Sequence, residues 1–246
     1  MKRIKLTVAY DGTDYCGWQI QPNGITIEEM LNRAIQNLTG EEIRVIGASR
    51  TDSGVHALGN VAVFDTESAI PPERMSYALN QRLPGDIVVV RSEEVAPDWH
   101  PRYQDHIRKT YEYHIYNGES PNPLRKRYSA YLSYPLDIER MREGAVYLVG
   151  EHDFASFCCV RSQVEHTVRT IEELTITREG PEIVIRVSGN GFLYNMVRII
   201  AGTLIRVGRG FYGPEKVKEI LEEKKRTNAG VTAPPEGLVL TEILYF

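Results

Sequence analysis

Three residues able to do acid–base and electrostatic chemistry stand close together in the stretch Gly47-Ala48-Ser49-Arg50-Thr51-Asp52-Ser53-Gly54-Val55-His56-Ala57, namely Arg50, Asp52 and His56. The run before it, Glu41-Glu42-Ile43-Arg44-Val45-Ile46, favours a strand in its last residues. The run after it, Asn60-Val61-Ala62-Val63-Phe64-Asp65, favours a second. The spacing therefore puts the three groups on a connection between strands, where reactive side chains are commonly displayed. A carboxylate there can attack an electrophilic carbon or stabilise positive charge on one. A guanidinium can hold a phosphate through charge-assisted hydrogen bonds. The competing reading is a solvated hairpin loop whose Asp52 and Ser53 make turn hydrogen bonds.

The elements that must position this loop follow from periodicity. Ile4, Leu6, Val8 and Tyr10 alternate on a first strand, and Asp11-Gly12 ends it. A helix follows, with Thr26 as N-cap, Glu29 completing a capping box, a stripe of Ile27, Met30, Leu31, Ala34, Ile35 and Leu38, and Gly40 as its stop. Two strands flank the loop. A second helix opens at Pro71-Pro72, and Ile87-Val88-Val89-Val90 is a fourth strand running towards Val95. Residues 2–96 thus read β-α-β-β-α-β, the ferredoxin-like arrangement.

From Arg108 the order partly repeats. Lys109–Tyr116 and the shorter Tyr128–Leu132 alternate as strands, and a helix starts at Asp137 with Gly150 as its stop. Leu174–Thr177 and Ile183–Val187 form a hairpin, Phe192–Val207 is a buried helix, Pro214–Lys224 a surface helix, and Leu238–Leu244 a closing strand. The expected fold class is α+β: two ferredoxin-like domains, residues 1–104 and 105–246, with adjoining antiparallel or mixed sheets and a central cleft. The first carries the Asp52 loop.

Size and composition narrow the function classes. With 246 residues, 42% hydrophobic and 25% charged, the chain has the make-up of a soluble globular protein. No apolar run approaches the roughly 18 residues needed to cross a bilayer. The N-terminus enters strand alternation directly, so no signal peptide is expected and cytoplasmic residence is the default. Cys16, Cys158 and Cys159 cannot build a disulfide framework. Cys158 and Cys159 with His152 and His166 lack the C-x-x-C spacing of structural zinc sites, so no metal is expected. A net charge of −4 argues against a globally basic nucleic-acid surface. Local clusters remain, at Arg102, Arg108 and Lys109, at Arg125-Lys126-Arg127, and at Arg198, Arg206 and Arg209. Phosphate binding depends on the local field, so an acidic chain can hold a basic groove. The Arg125–Arg127 cluster alone reads better as a solvated face.

The loop Arg50-Thr51-Asp52-Ser53-Gly54-Val55-His56-Ala57 resembles the signature of the tRNA pseudouridine synthase A family, with Ser49 where that family most often has Gly. Further stretches extend the likeness along nearly the whole chain: Tyr10-Asp11-Gly12, Gly17-Trp18-Gln19, Leu83–Ile87, Arg108–Tyr113, Phe154–Phe157, Asn190–Arg198 and Glu236-Gly237-Leu238. The resemblance implies Asp52 as the catalytic residue, Tyr111 as the residue contacting the target base, and Arg198 as the third member of the active site. It also implies a symmetric homodimer acting on the anticodon stem-loop of tRNA, at uridines 38, 39 and 40.

That trio makes chemical sense. Turning uridine into pseudouridine breaks the glycosidic bond, rotates the uracil and rejoins it through carbon 5, with no redox change, metal or external cofactor required. It needs a carboxylate at the sugar or base, as in glycoside chemistry. Asp52 would have to be ionised in a pocket, and Arg198 would offset the desolvation of its charge. Tyr111 offers a flat face and a hydroxyl to an extruded base. Arg50 is a candidate to fill the vacated stack or hold a phosphate. Each has a plain counterpart, sheet packing for Tyr111 and a buried ion pair for Arg198. His56 and His100 read as structural histidines outside the catalytic set. Two other functions compete: a non-catalytic RNA-binding protein, and a hydrolase that releases the base.

Overall fold

Alternation of Ile4, Leu6, Val8 and Tyr10 puts one face of strand β1 (Lys2–Tyr10) in the core, each side chain nearly or wholly buried. The computed structural model describes residues 1–159 and 166–246. It is a mixed α+β chain that divides into two units, residues 1–107 with 240–246, and residues 108–239.

In the first unit β1 pairs antiparallel with β3 (His56–Thr66) on one side and β4 (Ile87–Val95) on the other. The strand β10 (Leu238–Tyr245) adjoins β3, and the two-residue β2 (Ile46–Gly47) pairs with β3 at Val63 and Ala62. Helix α1 (Ile27–Thr39) buries Ile27, Leu31, Ala34 and Ile35. Thr26 Oγ1 accepts the Glu29 N–H at 3.4 Å, and Gly40 ends the helix at φ 77°. The Glu29 carboxylate, expected to close the capping box, pairs with Arg33 at 2.6 Å instead. Helix α2 (Met75–Asn80) follows a short 3-10 turn at Pro72–Arg74.

The strand expected at the end of the segment before the loop is present and short, and the one after the loop starts earlier than expected. The segment before it is strand only at Ile46–Gly47, because earlier polar groups are committed elsewhere. The Val45 N–H donates to Asn32 Oδ1 at 2.9 Å, and the Glu41 carboxylate accepts from Thr66 Oγ1 and the Glu67 N–H. After it, β3 begins at His56 rather than Asn60, so His56 and Ala57 belong to a strand and the loop is shorter.

In the second unit β5 (Ile107–Tyr116), β9 (Glu182–Gly189), β8 (Val168–Glu179) and β7 (Gly150–Asp153) lie side by side in that order, antiparallel throughout. A two-residue strand, β6 (Ala130–Tyr131), pairs parallel with β5. Helices α3 (Ile138–Val146), α4 (Met196–Gly208) and α5 (Lys216–Glu223) complete the unit. Gly150 does not stop α3, which ends at Val146; at φ 111° it opens β7, an unanticipated strand. Helix α4 starts four residues later than Phe192 because Asn195 takes a left-handed conformation, φ 63° and ψ 6°. Among the described residues no helix is long and apolar enough to cross a membrane.

Candidate active site

Asp52 is half-buried on a loop whose backbone is gripped from two directions. One grip is a second loop, residues 11–18. The Trp18 N–H donates to the Thr51 carbonyl at 3.1 Å, and the Tyr15 carbonyl accepts the Gly54 N–H at 3.3 Å and Ser53 Oγ at 3.1 Å. The approach is close enough to require glycine twice. A Cβ on Gly12 would lie 2.0 Å from the Val55 carbonyl oxygen, and one on Gly17, at φ +82°, would lie 2.6 Å from that of Thr51. Tyr15 anchors this second loop by donating its hydroxyl to Asp86 Oδ1 at 2.7 Å. Burial and the Asp86 carboxylate push the phenol pKa far above its ordinary value, so it remains a donor.

The other grip comes from the sheet beneath. Tyr10 and Thr51 bring their hydroxyls to 2.7 Å, and Asn60 Nδ2 donates both to the Tyr10 oxygen at 3.2 Å and to the Ser49 carbonyl at 3.1 Å. His56 is buried, with Nδ1 3.1 Å from the Gly12 N–H and 3.2 Å from Asp11 Oδ1. It ties β3 to the residues 11–18 loop, as suits a structural histidine. Ser49, the departure from the family's usual Gly, is buried too. Arg50, between these fixed residues, is exposed, leaving its guanidinium at the solvent beside the half-buried Asp52. The loop therefore presents one cation and one carboxylate on a rigid backbone.

Tyr111 and Arg198 belong to the second unit. Tyr111 lies on β5 opposite Val187 of β9, only 8% exposed. Its ring meets Phe192 edge to face, with centroids 5.2 Å apart. Arg198 sits in the first turn of α4, half-buried, with Nε donating to the Ala233 carbonyl at 2.7 Å and Nη1 to Asn195 Oδ1 at 3.0 Å. The Ala233 N–H returns a bond to the Arg198 carbonyl at 3.1 Å, and the Tyr113 hydroxyl donates to the Pro234 carbonyl at 2.9 Å. Residues 230–236 are thereby strapped to α4 and β5, and they fix the guanidinium. Burial raises the Tyr113 phenol pKa well above the usual range, keeping its proton in that bond.

Sequence reading assigns no positioning role to Asn60, Tyr15, Asp86 or Asn195, the residues that hold the loop and the guanidinium in place. Asn60, Tyr15 and Asp86 have partners distant in the chain, and Asn195 bonds Arg198 from an αL turn; periodicity carries no signal for either. Among the described residues, no three His, Cys, Asp or Glu side chains cluster so as to hold an ion.

Comparison with known proteins bears on what this arrangement is for. The family model described as tRNA pseudouridine synthase matches residues 6–104 and 145–245. The chain is 49% identical over 245 residues to a tRNA pseudouridine synthase A of Thermoanaerobacter sp. (strain X514), with 100% of both chains covered. It is 48% identical to the protein of that name from Acetivibrio thermocellus and 45% identical to that from Brevibacillus brevis, again with 100% of both chains covered. The resemblance read from the Arg50–Ala57 loop is thus borne out along the full length: the chain belongs to the tRNA pseudouridine synthase family.

Proposed function

We propose that this isomerase, which makes pseudouridine in tRNA as its family does, acts on uridines 38, 39 and 40 of the anticodon stem-loop with Asp52 as the residue that carries the chemistry. The observation that supports the assignment is the clamped loop: a half-buried carboxylate on a backbone bonded from both sides, beside an exposed arginine. A pre-positioned carboxylate spares the reaction the cost of ordering it.

In this reading the N1–C1′ bond of the target uridine breaks while the Asp52 carboxylate attacks, or stabilises the positive charge left behind. The uracil turns, C5 bonds to C1′, and the proton lost from C5 is balanced by one gained at N1. Tyr111 receives the face of the extruded base, and Arg198 pairs with the Asp52 carboxylate, keeping it ionised. Arg50 takes the space the base leaves or a neighbouring phosphate. The fold proposed is a pair of ferredoxin-like domains, residues 1–104 and 105–246, with the second completing the site across a cleft. The working form is a cytoplasmic homodimer in which one subunit holds the body of the tRNA while the other modifies it. Sharing the tRNA in this way reconciles binding with a net charge of −4.

The test is incubation of the purified protein with unmodified tRNAs that carry uridine at 38, 39 or 40, with pseudouridine mapped by chemical labelling. Product at those positions is expected from the native protein, and none from Asp52→Ala, which should still bind tRNA. A clearly active Asp52→Ala protein removes Asp52 from the central role. Release of free uracil would point to a hydrolase, because isomerisation leaves the RNA mass unchanged.

A further inference from the structure

The side chain of Asn60 is wholly buried, yet it is followed on its strand by the apolar run Val61, Ala62, Val63 and Phe64. An amide in such a place must find partners for both N–H groups and for its oxygen. Asn60 does so: Nδ2 donates to the Ser49 carbonyl and to the Tyr10 phenol oxygen, and Oδ1 accepts the Val61 N–H at 2.9 Å. Because the Ser49 carbonyl can only accept, the nitrogen must face it, which fixes the amide's orientation.

Asn60 shares a sheet face with its β1 partner Val8, and a bulge separates it from the loop end of β3. Between the pairs Val8–Asn60 and Tyr10–Ala57 the β3 side contains one residue more than the β1 side, at Leu58-Gly59. Leu58 is 62% exposed there, and Gly59 has no room for a Cβ, which would lie 2.7 Å from the Thr241 carbonyl. Bulges of this kind re-aim side chains next to active sites. The contacts both fall on the chain just before the proposed nucleophile: Ser49 precedes Asp52 by three residues, and Thr51, reached through Tyr10, immediately precedes it.

We infer that Asn60 is a positioning residue for the reaction, acting through the Ser49 carbonyl and the Tyr10–Thr51 hydroxyl pair to hold the Asp52 carboxylate at the height the target sugar or base requires. It touches no substrate. The inference rests on the reading that Asp52 carries the chemistry. Its loss leaves the tRNA-binding surface intact and displaces one carboxylate, and small displacements of a reacting group cost rate out of proportion to their size.

The experiment measures single-turnover rate at saturating enzyme, tRNA affinity by filter binding, and the urea unfolding midpoint for Asn60→Asp, Asn60→Ala and Tyr10→Phe. Asn60→Asp keeps the shape and loses both donors; Tyr10→Phe keeps the ring and loses the hydroxyl. The expected result is a rate about tenfold or more below wild type in folded variants, with tRNA affinity within about twofold. The effects of Asn60→Ala and Tyr10→Phe should be non-additive, since they break one network. A folded Asn60→Asp protein with a wild-type rate overturns the inference, as does weaker binding at an unchanged rate. Should the Asn60 variants fail to fold, Tyr10→Phe decides: an unchanged rate there also overturns it. Asp52→Ala separates the two claims, because an active Asp52→Ala protein sinks the reading beneath, whereas an inactive one with a fully active Asn60→Asp sinks this inference alone.

Discussion

Asn195 Oδ1 accepts a hydrogen bond from Arg198 Nη1 at 3.0 Å while the Asn195 backbone sits at φ 63°. The two facts belong together. The left-handed residue caps α4 three positions before the arginine, and asparagine is among the few side chains that tolerate it.

Asn195 should therefore separate stability from activity. Asn195→Ala loses the tolerance and the oxygen, and is expected to cost about 1–2 kcal/mol of stability. Asn195→Gly relieves the backbone but also lacks the oxygen, so its stability should exceed that of Asn195→Ala. Both should lose pseudouridine-forming rate to a similar extent, since both remove the Asn195 bond that orients Nη1 of Arg198. Urea unfolding with a single-turnover assay checks this; a fully active Asn195→Gly would mean the Asn195 bond does not matter to Arg198.

Gly17 and Gly40 have nearly the same backbone angle, φ +82° and +77°, in different surroundings. Nothing lies within 4 Å of a Cβ at Gly40, whereas at Gly17 it would meet the Thr51 carbonyl at 2.6 Å. Gly40→Ala should cost about 1 kcal/mol, the price of the angle alone. Gly17→Ala should cost more than about 2 kcal/mol and reduce activity, because backbone of the Asp52 loop has to shift. Equal losses would show that the two loops are not tightly packed in solution.

Stability should fall on the acid side in two stages. Burial holds the His114 imidazole below its ordinary pKa, despite the opposing pull of Glu112. The unfolded chain then takes up that proton first, and stability declines gently as pH drops below about 6.5. Asp65, Glu93 and Asp153 are each held below the usual carboxylate range, chiefly by hydrogen bonds from Arg3, Lys5 and Lys224 respectively. Their contribution is present above the unfolded values and is lost as pH falls below about 4. These carboxylates are partly exposed, so each contributes no more than about 1 kcal/mol. Asp65→Asn, which breaks the 2.7 Å pair with Arg3, should make the low-pH limb of a urea-midpoint titration shallower. An unchanged limb would show that this pair adds nothing.

Local chemistry explains why so much of the outline was readable in advance. Helix α1 was legible from Thr26 to Gly40 because cap and stop act within one turn of chain. Strand β1 followed from period-two alternation, and β4 and β9 from short β-branched apolar runs. Glu28 shows where that logic stops. A charged side chain 5% exposed on α1 makes no sense in the helix pattern, and makes sense only once Ile20 N–H and Arg44 are seen to bond it.

The sequence by itself determined the family, through an Arg-Thr-Asp loop and dispersed motifs whose identities survive whatever the fold does with them, and it determined the elements whose signals are local. Tertiary structure alone decided how the Asp52 loop is held: by Gly12 and Gly17 in direct backbone contact with it, by a bulge at Leu58-Gly59, and by an amide on β3 joined to a phenol on β1. The hydroxyl and amide contacts among them join residues some 40 to 50 positions apart in the chain. Their directions depend on register and twist, which no pattern of hydrophobic spacing encodes.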